Sequence, residues 1–133
     1  MNHLLSVLRA AGEPTRLRIL AILSLGELTV SELTQVLLQS QPRISRHLKL
    51  LADAGMIVRY PEGSWVFYRL DESAQLGDLL AEIIGSLPLG DHELQRDRER
   101  DAEQGVGPES GLVLGAVEVE HHLVDETLVD ALD

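Results

Sequence analysis

From the N-terminus, apolar positions recur every three or four residues, the period of helices with one buried face. HLLSVLRAAG (3–12) places Leu4, Leu5, Val7, Leu8 and Ala11 in this way and stops at Gly12. Pro14 suits the first turn of a second helix. That helix is TRLRILAILSLG (15–26), carried by Leu17, Leu20, Ala21 and Leu23 and closed by Gly26. Thr29-Val-Ser-Glu32 has the form of a capping box and opens a third helix to about Leu38, with Val30, Leu33, Val36 and Leu37 apolar. After a short turn Ser40 is placed to cap a fourth helix, in whose first turn Pro42 is tolerated. It runs to Ala54, with Gly55 as the residue beyond its end.

After Gly55 the period changes from helix to strand. MIVRY (56–60) and SWVFYRL (64–70) are rich in β-branched and aromatic residues and are joined by Pro61-Glu62-Gly63, a turn sequence. They predict a hairpin. On its second strand Val66, Tyr68 and Leu70 share one face, and Trp65, Phe67 and Arg69 the other. Asp71 is positioned to cap a last helix whose Leu76, Leu79, Leu80, Ile83, Ile84 and Leu87 recur at helical spacing until Pro88. Beyond it, 91–104 is charged all round, 105–111 has the composition of a flexible linker, and 112–133 shows no settled period. The expected division is a folded domain over 1–90 and an acidic, partly flexible tail over 91–133.

The fourth helix carries the chemistry. In SQPRISRHLKLL (40–51), Ile44, Leu48 and Leu51 form one stripe, while Arg43, Arg46 and Lys49 step around another arc. Two helices joined by a tight turn, the second apolar inward and cationic outward, describe a helix-turn-helix, and the hairpin makes it winged. The expected fold class is therefore mainly α with a β-hairpin wing. Such a helix is shaped for a DNA major groove. Arg43 and Arg46 can read guanine, Gln41 adenine, and Ser40 and Ser45 are short enough for close approach. Lys49 and the wing residues Arg59, Ser64 and Arg69 suit phosphates, which position without specifying sequence.

Composition bears on this reading twice. The formal charge of −11 argues against nucleic acid if taken whole. Residues 91–133 hold 3 Lys+Arg against 13 Asp+Glu, however, so −10 of the charge lies in the tail and the first ninety residues are near neutral. There are no cysteines, which excludes disulfides, zinc knuckles and thiol sensing. No signal segment and no apolar run of membrane-spanning length appears, so a soluble, cytoplasmic protein without a membrane partner is expected.

EPTRLRILAIL, LTVSELTQVLLQSQPRISRHLKLLADAGMI and EGSWVFYRL together resemble the ArsR-type winged-helix repressors over roughly residues 4–87. The resemblance is strongest to the subgroup in which such a regulator is fused to a methyltransferase, and RDRER (96–100) is similar to the linker of those fusions. It implies a homodimer in which the first helix (Leu4, Leu5, Leu8) meets the last (Leu79, Ile83, Leu87). Each subunit would place one recognition helix on an inverted repeat in double-stranded DNA, and an unidentified small-molecule effector would release it. Departures from the family pattern are informative. Where many relatives carry metal-sensing cysteines this chain has Glu32-Leu33-Thr34-Gln35, residues 72–87 contain no histidine for the family's second metal site, and the wing tip is Glu62-Gly63.

His121 and His122 among Glu118, Glu120, Asp125 and Glu126 invite a metal, but adjacent helical histidines diverge and acidic tails are commonly just solvated, so no metal and no cofactor is expected. Trp65 and Phe67 suit wing packing better than a ligand pocket. No nucleophile–base–acid set stands out, so no enzyme is expected. Two functions from different classes remain: a DNA-binding repressor, or a winged-helix interaction protein acting on a partner through its acidic tail. The basic recognition helix favours the first.

Overall fold

The computed structural model describes residues 1–72, 76–88 and 90–104. Among them the elements run α1 (Asn2–Ala11), α2 (Pro14–Leu23), α3 (Val30–Leu37), α4 (Gln41–Asp53), β1 (Ile57–Glu62), β2 (Trp65–Leu70), α5 (Gly77–Gly85) and α6 (His92–Glu103). No helix among the described residues is long and apolar enough to cross a membrane.

The centre is aliphatic. Ile19, Leu20 and Ile22 of α2, Leu33, Val36 and Leu37 of α3, and Ile44, Leu48 and Leu51 of α4 are all fully buried. Around this three-helix core pack Val7, Ala10 and Ala11 of α1, Val66 and Tyr68 of the hairpin, and Leu80 of α5. The winged helix-turn-helix expected from the sequence is thus the fold found. α4 ends as its sequence predicts. Gly55 takes a left-handed φ of 77°, its N–H donates to Ala52 O at 2.9 Å, and the Met56 N–H donates to Leu51 O at 3.0 Å. Those two bonds form a Schellman end, and Leu51 and Met56 are both buried beneath it.

Three local expectations are corrected. β1 continues through Pro61 and Glu62, with Glu62 opposite Trp65, so the loop is only Gly63-Ser64. Gly63 has φ 64°, the positive angle that two-residue hairpin loops require. Proline is tolerated because a two-stranded ribbon leaves it on an edge. α5 starts at Gly77 with Leu76 in the cap position, not at Asp71. The Asp71 N–H instead donates to Met56 O at 3.0 Å and closes the base of the hairpin.

The third correction concerns 91–104, read as charged all round. It forms α6, capped by Asp91, whose carboxylate accepts from the Leu94 N–H at 3.1 Å. α6 packs on α2 and α3 with Leu94 and Asp97 buried. Residues 105–133, including His121 and His122, lie outside the described residues.

Candidate nucleic-acid interface

α3 begins with the capping box expected for it: the Thr29 hydroxyl accepts from the Glu32 N–H at 3.2 Å and the Glu32 carboxylate accepts from the Thr29 N–H at 2.9 Å. α3 ends at Leu38, whose backbone is left-handed with φ 55°, so the chain reverses at once. Gln39 ties this turn to α2 through its amide N–H to Thr15 Oγ1 at 3.0 Å. Ser40 then caps α4, accepting from the Arg43 N–H at 3.4 Å.

On α4, Ile44, Leu48 and Leu51 face the core, whereas Arg43, Arg46 and Lys49 are exposed. Ser40 is exposed and Gln41 half-exposed. Lys49 lies 3.5 Å from Asp53 one turn on. With both ends in solvent this pair is weak, and Lys49 stays available to a phosphate. Ser45 is set differently: it is only 7% exposed, and its enclosed hydroxyl has no hydrogen-bond partner among the described residues.

Arg16 braces α4 from behind. Its Nε donates to Ala10 O at 2.6 Å and a terminal nitrogen meets His47 Nδ1 at 3.2 Å. Arginine only donates, so Nδ1 is the acceptor and the His47 proton sits on Nε2, which points toward Glu13 at 3.9 Å. Burial pushes the His47 imidazole below its usual range. Arg16, Arg43 and Arg46 add to that shift, and Glu13 opposes it. The ring is neutral at pH 7 and held in one orientation beside the exposed arginines.

On the wing, Arg59 and Ser64 are exposed, Ser64 at the tip with Glu62. Arg69 is exposed too, but its guanidinium lies over the Tyr60 ring, 5.0 Å from the centroid. Tyr60 and Trp65 each stack on Phe67 at 5.8 Å, and the Tyr60 hydroxyl donates to Glu27. Trp65 and Phe67 therefore build the wing. Leu4, Leu5 and Leu8 of α1 are 38%, 38% and 48% exposed, while Leu79, Ile83 and Leu87 are half-buried. A water-sized crevice is lined by His3 and Val7 of α1, Leu76 and Leu80 at α5, and Gly55, Met56 and Asp71. Among the described residues no group of three His, Cys, Asp or Glu is arranged to hold a metal.

The description of bacterial regulatory proteins of the arsR family matches residues 13–58. The arsenic resistance transcriptional regulator ArsR1 of Pseudomonas putida is 42% identical over 106 residues, covering 78% of this chain and 81% of its own length. The arsenical resistance operon repressor of Escherichia coli is 47% identical over 53% of this chain and 62% of its own. Among solved structures, HlyU from Vibrio cholerae superposes with a TM-score of 0.55 at 32% identity, covering 62% of this chain and 88% of that one. The transcriptional repressor BigR from Xylella fastidiosa gives 0.54 at 28% identity, covering 65% and 88%. The matching proteins are transcriptional regulators, a class that is not enzymatic.

Proposed function

The chain belongs to the ArsR family of bacterial regulatory proteins, and from that premise we propose that it is a homodimeric repressor that reads an inverted-repeat DNA site and is released by a small-molecule effector. The observation that carries the DNA reading is the pair Arg43 and Arg46, both exposed in the first turns of a capped recognition helix whose opposite stripe is fully buried. Arginine at such a position reaches guanine O6 and N7 bidentately. Gln41 is positioned to read adenine. Lys49, Arg59 and Ser64 contribute phosphate contacts that set register, and Arg69 contributes while stacked on Tyr60.

The exposed leucines of α1 and the apolar face of α5 together supply the dimer surface, and an isologous contact gives the two-fold symmetry that an inverted repeat mirrors. The effector of the arsenical-resistance relatives does not carry over on thiolate chemistry, because the 133 residues contain no cysteine to bind a soft ion. The likeness to the regulator half of regulator–methyltransferase fusions makes methyl-transfer metabolites the first effectors to screen. No observation favours the acidic-tail interaction protein: the described part of that tail, 91–104, is docked on α2 and α3, and 105–133 lie outside the described residues.

Selection of binding duplexes from a randomised library tests the proposal. It should enrich two inverted half-sites about one helical turn apart. Enrichment of no sequence, or of a single unpaired half-site, would refute it.

A further inference from the structure

α6 contains only one buried apolar residue, Leu94, yet it is docked on α2 and α3. What holds it is ionic. Asp97, 2% exposed, accepts from Arg18 Nε and from an Arg18 terminal nitrogen, both at 2.9 Å, and from Arg100 at 2.9 Å. The Asp97 hydrogen bond outweighs burial and raises the already high Arg18 pKa. Glu93 approaches Arg18 at 3.4 Å but is largely in solvent and adds little.

The two guanidiniums do more than neutralise Asp97. A helix leaves its last carbonyls without intrahelical donors, and cations near them also complement its dipole. Here Arg18 donates to Leu37 O at 2.9 Å and Arg100 donates to Val36 O, the last two carbonyls of α3. The Gln104 side-chain amide nitrogen donates a hydrogen bond to Gln35 Oε1 at 2.8 Å. The next residues are left-handed Leu38, then Gln39, then Ser40, the cap of α4. α6 makes no comparable contact with α4 itself. α6 therefore reaches the recognition helix only indirectly, through α2 and through the end of α3, both of which pack on α4.

We infer that Arg18, Asp97 and Arg100 are positioning residues for DNA recognition: an Arg–Asp–Arg clamp around the buried Asp97 that fixes the last carbonyls of α3 and with them the turn that aims α4. This rests on the DNA-binding reading above. It extends the working unit into a segment whose sequence looks like a charged linker. Such a clamp uses arginine's fork, which reaches a carboxylate and a carbonyl at once; a lysine ammonium is a point donor and satisfies both poorly.

The test uses the full chain, the duplex recovered by wild-type selection, and an unrelated duplex of equal length. Arg100→Ala is the principal variant because Arg100 is partly exposed and its loss leaves Arg18 on Asp97. Affinity for the selected duplex should fall roughly threefold to thirtyfold, the range of couplings carried through packed elements. Affinity for the unrelated duplex and the salt slope should stay within about twofold, since no phosphate contact is removed. Amide exchange should accelerate across residues 38–44 and not in α1, and Arg100→Lys should rescue only in part. Measurement well below the melting midpoint separates this from loss of folded protein. Unchanged selected-duplex affinity and unchanged exchange at 38–44 would overturn the clamp while leaving DNA binding intact, provided Arg46→Ala still weakens the same duplex. A wild-type protein that selects no duplex would overturn both.

Discussion

Ser45→Ala separates two accounts of the recognition helix with opposite signs. If Ser45 approaches DNA, as its place between Arg43 and Arg46 suggests, the alanine variant loses affinity. The structure puts the side chain at 7% exposure with an unpartnered hydroxyl, so the variant should gain stability instead. Relieving a buried, unsatisfied hydroxyl is worth about 1–3 kcal/mol. Alanine's better helix propensity adds about 0.5 kcal/mol, and the void left by one oxygen takes back about the same. The net expectation is a gain of about 1–3 kcal/mol, or roughly 4–8 °C in melting temperature per kcal/mol for a folded body of this size. Urea titration at constant m-value reads the stability, and anisotropy with the selected duplex reads the affinity, which should stay within about twofold. A destabilised variant, or one with intact stability and clearly weaker binding, would refute the inward placement of Ser45.

Ile83→Asp places a charge in the apolar face proposed for the dimer and should yield monomers of 14.6 kDa by sedimentation that bind DNA weakly; an unchanged dimer would remove α5 from the interface. For His47, the folded pKa lies below the ordinary imidazole value, so the folded state resists protonation. Its contribution to stability is present above about pH 6.5 and lost as pH falls through the lower folded value. His47→Gln should flatten the fall in stability between about pH 7 and pH 5, and an unaltered pH profile would exclude His47 as its source.

The periodicity of the first seventy residues sufficed for the core because the buried set there is aliphatic and each helix carries its own punctuation. Thr29 with Glu32, Ser40 with Pro42, and Gly55 are local signals that act locally. The burial of Ser45 was legible: at about 100° per residue it sits only about 60° from Leu48, nearer the apolar stripe than Arg43 or Arg46. The start of α5 at Gly77 was not legible, because Asp71 belongs to the base of the hairpin, its N–H bonded to Met56 O, a contact made only when the hairpin closes. α6 was hidden for a stronger reason. Leu94, Asp97 and Asp101 do share a face, but an aspartate is buried only where a partner neutralises it. Here that partner is Arg18, seventy-nine residues earlier. The Arg16–His47 contact likewise joins residues thirty-one apart.

The central claim is that α4 reads DNA through Arg43 and Arg46, and base-by-base affinity tests it most directly. Duplexes carrying each single substitution in one selected half-site are titrated against wild type, Arg43→Ala and Arg46→Ala at fixed salt. The account predicts that each variant loses about 1–3 kcal/mol on the selected duplex and becomes indifferent to substitution at its own guanine, while discrimination elsewhere persists. Variants that bind the selected duplex as tightly as wild type, with the same base preferences, would contradict it.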